Sequence, residues 1–99
     1  MAHRSGRGGG FDRIHQDRQG VDALFVNAGA LTHYSWSLHD ALATFAGPIV
    51  EVHISQPNAR EPWRHTSVVA PVASGSIAGF GLLGYELAIR AISDLLQVR

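Results

Sequence analysis

The sequence predicts an α/β fold: a parallel sheet with helices on both faces. Three observations carry this. Asp22 to Asn27 (DALFVN) is an apolar run closed by a polar residue, the pattern of a parallel strand covered on both sides. Pro48 to Ser55 (PIVEVHIS) is a second strand, whose alternation puts Val50, Val52 and Ile54 on one aliphatic face and Ile49, Glu51, His53 and Ser55 on the other. Segments of helical period lie between and beyond the strands, and such alternation means parallel strands joined by crossovers.

The elements follow in order. Met1 to Gly10 (MAHRSGRGGG) is basic, glycine-rich and aperiodic, and reads as a disordered tail before a single domain over residues 11–99. Phe11 to Gln19 predicts a short helix with Phe11, Ile14 and His15 inward and Gly20 as its stop. After the first strand, Asn27-Ala28-Gly29-Ala30 is a turn. A helix from Ser35 to Ala46 is expected, with Leu38, Ala41, Leu42 and Phe45 on one face, Ser35 as N-cap and Gly47-Pro48 as terminator. The second strand leads into a polar loop, Gln56 to Ser67, long enough to suggest function. Val68 to Val72 is apolar around a proline, and Gly75 to Gly79 is a third strand. The longest helix is expected over Gly81 to Val98, with Leu83, Leu87, Ala91 and Leu95 inward and a Glu86–Arg90 pair on its surface. Three strands make a thin sheet for this class.

Composition removes several functions. The net charge is zero over 99 residues, so nothing favours nucleic acid or an anionic membrane. All 8 basic residues are arginine, which excludes a lysine Schiff base and a P-loop lysine. Without cysteine there is no thiol catalysis, disulfide or thiolate zinc site, and a reducing cytoplasm is the simplest compartment. No apolar run reaches the roughly 20 residues that span a bilayer, and the N-terminus lacks the apolar core of a secretory signal.

Four groups of residues bear on chemistry. Glu51-Val52-His53-Ile54-Ser55 fits a satisfied histidine at a strand end, and fits equally a general acid, His53, oriented by Glu51 beside an oxyanion site at Ser55. Asn27 to His33 is a glycine turn with Thr32 as a cap, or a polar loop that lets a ligand approach backbone at Gly29. Arg60 to His65 is a solvated loop, a weak nucleic-acid patch, or a place where Arg64 clamps ligand oxygens. Gly75, Gly79 and Gly81 miss the dinucleotide spacing, and the 6 histidines lack any metal-binding i, i+4 pair.

Taken together, Val26-Asn27-Ala28-Gly29-Ala30-Leu31-Thr32-His33, Ser35 with Leu38, Asp40, Ala41 and Leu42, Glu51 to Ser55, Ala59-Arg60-Glu61 with Arg64, His65 and Ser67, and Gly84-Tyr85-Glu86-Leu87-Ala88 resemble type II 3-dehydroquinate dehydratase. The resemblance runs from Phe11 to Ile92. It implies a flavodoxin-like three-layer sandwich and, as activity, the third step of the shikimate pathway: anti elimination of water from 3-dehydroquinate through an enolate, giving 3-dehydroshikimate. It also implies no metal or organic cofactor, and trimers grouped into a dodecamer. By motif position, His53 is the acid, Glu51 its partner, and Asn27 the group that meets substrate and enolate. Ile54 and Ser55 bind the carboxylate, and His33 and Arg64 the ring hydroxyls. Asp40 belongs to a neighbouring subunit's site.

The family also carries an N-terminal strand and a loop with an arginine and the tyrosine base, and Met1 to Gly10 does not resemble them. The chain is therefore expected to correspond to the C-terminal two-thirds of the enzyme and to turn over little substrate alone. A tyrosine with a pKa near 10 needs adjacent positive charge to act as a base. Two rival expectations stand beside this one. The first is a remnant that binds a polyol carboxylate or joins intact subunits without catalysis. The second is a nucleotide-binding flavodoxin-like module, which lacks a phosphate loop.

Overall fold

A computed structural model describes residues 2–4, 7–8 and 22–97, the first two groups by their backbone. One sheet organises them, in the order β2 (Arg7–Gly8), β1 (Ala2–Arg4), β3 (Leu24–Val26), β4 (Ile49–His53), β5 (Gly75–Ala78). β3, β4 and β5 are parallel, with Val26 opposite Glu51 and Glu51 opposite Ser76. β1 runs antiparallel to both β2 and β3.

The expected tail is thus corrected in part: Ala2–Arg4 and Arg7–Gly8 are strands. The reason lies in β3. An uncovered edge presents a row of unpaired N–H and C=O groups, and the chain's own N-terminal backbone supplies the partner. Arginine and glycine carry little strand propensity, so composition hides the pairing. The short helix expected over Phe11 to Gln19 lies outside the described residues.

The two faces of the sheet bury separate apolar clusters. On one side, Leu24, Val26 and Ile49 meet Leu38 and Leu42 of α1 (Trp36–Ala43), with Phe45 and Val69. On the other, Ala23, Val50 and Val52 meet Ala88 and Ile92 of α2 (Leu83–Gln97). Helices therefore cover both faces, as the alternation predicts. Ser35 caps α1 by accepting the Leu38 N–H at 3.2 Å, and the helix ends at Ala43 rather than Ala46. Gly47 is needed for close approach: a Cβ there would run into the Asp22 carbonyl.

The inward row of α2 differs in part from expectation: Ala91 and Leu95 pack against the core, but they are not its centre. Gly84, Ala88 and Ile92 are its buried residues, while Leu83 is 52% exposed. Small residues let the helix lie close on β4, since a Cβ on Gly84 would stand 3.3 Å from Val52 Cγ1. The leucines chosen by size sit beside that contact line. Glu86 and Arg90 do pair, at 3.8 Å and well exposed, which adds little. No described helix is long and apolar enough to cross a membrane.

Candidate active site

Chemistry collects at the C-terminal ends of β3 and β4, where open α/β sheets hold ligands. Glu51 is the centre and is only 3% exposed. His53 Nε2 donates to its Oε2 at 2.8 Å, Ser67 Oγ to the same oxygen at 2.7 Å, and Ser76 Oγ to Oε1 at 2.7 Å. Strand register places Ser76 directly beside Glu51. Burial pushes the Glu51 carboxyl up, but the hydrogen bonds from His53, Ser67 and Ser76 and the histidine's charge outweigh it and hold it below the usual carboxylate range. An ionised carboxylate only accepts, so the Nε2 of His53 carries the proton and Nδ1 is left for a ligand.

The neighbouring loop brings a second imidazole. A 3-10 turn, Gly29–His33, follows β3 and ends on His33, whose Nδ1 donates to the Thr66 carbonyl at 2.7 Å. Its ring lies 6.3 Å from that of His53 at an interplanar angle of 14°, with Trp63 edge-on at 5.4 Å. The segment Thr66 to Val68 stitches the site together. Besides Ser67, the Val68 N–H donates to the Thr32 carbonyl at 2.8 Å, and His39 Nδ1 donates to the Val68 carbonyl at 2.7 Å. Thr32 itself is buried in the turn, and Ser35 takes the capping role.

Asn27 closes the third side. Its Nδ2 donates to the Tyr85 hydroxyl at 2.7 Å, and its Oδ1 accepts the Gly29 N–H at 3.3 Å. The loop Gln56 to Ser67 folds into two 3-10 turns, Pro57–Ala59 and Pro62–His65, the second carrying Arg64. Arg64 Nε donates to Glu61 Oε1 at 2.8 Å, and its guanidinium lies 4.1 Å from the centre of the Trp63 ring. The arginine's hydrogen bond holds the exposed Glu61 carboxyl below its ordinary range.

These groups line a hollow of about 260 Å³ walled by Asn27, Gly29, His33, His53, Ile54, Ser55, Pro57, Arg60 and Arg64. A smaller hollow of about 140 Å³ lies beside it, with His33, His53 and Arg64 shared and Glu51 and Ser67 at its back. The fold thus brings together Asn27, His33, His53, Ile54, Ser55 and Arg64, with Glu51 behind His53. Asp40 stands apart, exposed on α1 and outside both hollows. The roles of Ser76, Ser67 and the Tyr85 hydroxyl escape the linear pattern. A small polar residue inside an otherwise apolar strand, as in Gly75-Ser76-Ile77-Ala78, is the one signal that points to Ser76.

The comparisons with known proteins agree on one lineage. The family model for dehydroquinase class II matches residues 6–93. The chain belongs to the class II dehydroquinase family. It is 50% identical over 86 residues to a 3-dehydroquinate dehydratase of Anoxybacillus flavithermus, covering 87% of this chain and 58% of that protein. It is 54% identical over 87 residues to the 3-dehydroquinate dehydratase of Pelobacter propionicus, with 87% and 58% covered. The solved type II dehydroquinase of Butyrivibrio crossotus superposes with a TM-score of 0.81 at 45% identity, covering 84% of this chain and 59% of that one. The sandwich expected from the resemblance is therefore the fold of class II dehydroquinases over this part of their length. The chain spans less than two thirds of these relatives.

Proposed function

We propose that this chain carries the acid and substrate-binding part of a 3-dehydroquinate dehydratase, a hydro-lyase that eliminates water from 3-dehydroquinate. The observation that carries the reading is the His53–Glu51 contact at 2.8 Å on the wall of a polar hollow that also holds Asn27, Ser55 and Arg64. In the reaction a proton beside the ketone leaves, an enolate forms, and the departing hydroxyl takes a proton. His53 gives that proton, and Glu51 anchors its Nε2 and so fixes the ring. Asn27 offers an N–H to oxygen that gains charge in the enolate. The backbone of Ile54 and Ser55 and the Ser55 hydroxyl take the substrate carboxylate, and His33 and Arg64 take ring hydroxyls.

The base is the unfilled role among the described residues. Tyr34 is 61% exposed and lines neither hollow, and the Tyr85 hydroxyl is engaged with Asn27. We therefore assign to these 99 residues substrate binding with little turnover. This absence of a tyrosine at the hollow equally favours the second reading, a module that binds a polyol carboxylate without catalysis. We further propose a homo-oligomer, trimeric in its basic unit, in which Asp40 reaches a neighbouring copy's hollow. Its exposure on α1 supports that assignment. Light scattering coupled to gel filtration tests it, and a monomer at high concentration rejects it.

Calorimetry with an unreactive 3-dehydroquinate analogue tests the site. Binding is expected for the wild-type chain and loss of it for Ser55→Ala and Arg64→Ala. Undiminished binding by both variants overturns the assignment of this hollow. The ultraviolet absorbance of the enone product tests the missing base. Full turnover by the isolated chain would show that a base is present after all.

A further inference from the structure

We propose that Tyr85 is a positioning residue: its hydroxyl fixes the side-chain amide of Asn27 so that the remaining Nδ2 hydrogen is presented to an oxygen of the ligand in the hollow. The proposal rests on the reading of that hollow given above. An asparagine amide turns through a broad, roughly two-fold torsion, so its donor and acceptor ends exchange places unless neighbours distinguish them. One neighbour distinguishes them here and a second, a hydroxyl that can donate or accept, holds the result. The Gly29 N–H can only donate, and it faces Oδ1 at 3.3 Å. That contact is long and selects weakly. The Tyr85 hydroxyl accepts from Nδ2 at 2.7 Å and supplies the short, holding bond. Gly29 chooses the orientation and Tyr85 keeps it.

The scaffold suits this task. Tyr85 sits near the start of α2, next to Gly84, whose lack of a side chain lets the helix press on Val52. Its ring packs against Phe25 at 5.7 Å between centroids, on the α2 side of the sheet. The hydroxyl is thus borne by a helix and a ring that are both pinned by packing, and it reaches around the end of β3 to the site. Packing needs only the ring. The hydroxyl is what the site uses, so Tyr85→Phe separates the two roles.

The test uses the 99-residue chain labelled with nitrogen-15 at asparagine. Asn27 and Asn58 are its asparagines, and exposed Asn58 is an internal control. In the wild-type chain the Asn27 amide protons should exchange with solvent more slowly than those of Asn58. In Tyr85→Phe the Asn27 pair should shift and speed up while the Asn58 pair and the thermal midpoint hold. Affinity for the 3-dehydroquinate analogue should fall by about fivefold, the scale of one lost hydrogen bond. Tyr85→Phe should add nothing in an Asn27→Ala background, as expected for residues acting through one another. If the Asn27 pair exchanges as fast as that of Asn58, or ignores Tyr85→Phe, the proposal is overturned. The wild-type exchange comparison decides even if the variant does not fold. Should the Asn27 signals respond while Ser55→Ala and Arg64→Ala leave analogue binding intact, the hollow's assignment falls, and the ligand-presenting role falls with it.

Discussion

Glu51 and Glu61 are the same side chain put to different use. Each accepts a hydrogen bond of 2.8 Å from a nitrogen that can be cationic, His53 for one and Arg64 for the other. Both carboxyls are held below their ordinary range. Yet Glu51 is buried and has three donors from three segments, whereas Glu61 stands in solvent on a loop. Water competes for Glu61 and screens its pair, so the contact orients Arg64 and adds little stability. Glu51 itself is almost out of reach of solvent, so water competes little for its oxygens, and its three donors share it as an acceptor. The lesson is that a pair's geometry does not set its worth; the surroundings do.

The sharpest way to break the comparison is Glu51→Ala. It removes the buried acceptor shared by Ser67, Ser76 and His53 Nε2, and should cost roughly 3 kcal/mol. Urea denaturation reads this directly, and an unchanged midpoint would refute the account of the cluster. Acid should come next. Because Glu51's folded pKa is depressed, the unfolded chain binds more protons as pH falls through the ordinary carboxylate range. Its stabilisation is complete above that range and is lost as pH drops toward the folded value. Thermal midpoints followed from about pH 7 to about pH 3 should decline in the wild type and decline less in Glu51→Gln.

Smaller effects refine the picture. Ser76→Ala removes one hydrogen bond to a buried charge and should cost about 2 kcal/mol by the same denaturation measurement. Glu61→Gln should leave the thermal midpoint where it was. Its effect should appear instead in analogue affinity, since Arg64 loses the partner that orients it. A clear drop in midpoint for Glu61→Gln would erase the distinction between the two carboxylates.

Strands β3, β4 and β5 were readable because apolar runs and alternation are local signals. The Glu51–His53 contact was readable for the same reason, as residues two apart on a strand share a face. What stayed hidden needed long-range information. Ser76 meets Glu51 through strand register, and Ser67 through the path of a loop. The Tyr85 hydroxyl meets Asn27 across 58 positions of sequence, from the opposite layer. On α2, size misled: leucines suggest the buried row, but closeness to β4 selected Gly84 and Ala88. The pairing of Ala2–Arg4 has its cause in the edge of β3, not in the paired residues themselves.

That last feature bears on how β3 could exchange one neighbour for another. The flank of β3 is already taken by a short resident, running head to tail against it over Ala2 to Arg4. A segment that would pair with β3 on that flank must wait for the resident to lift away. Joining is then a swap whose speed levels off at an internal opening rate, however much newcomer is supplied.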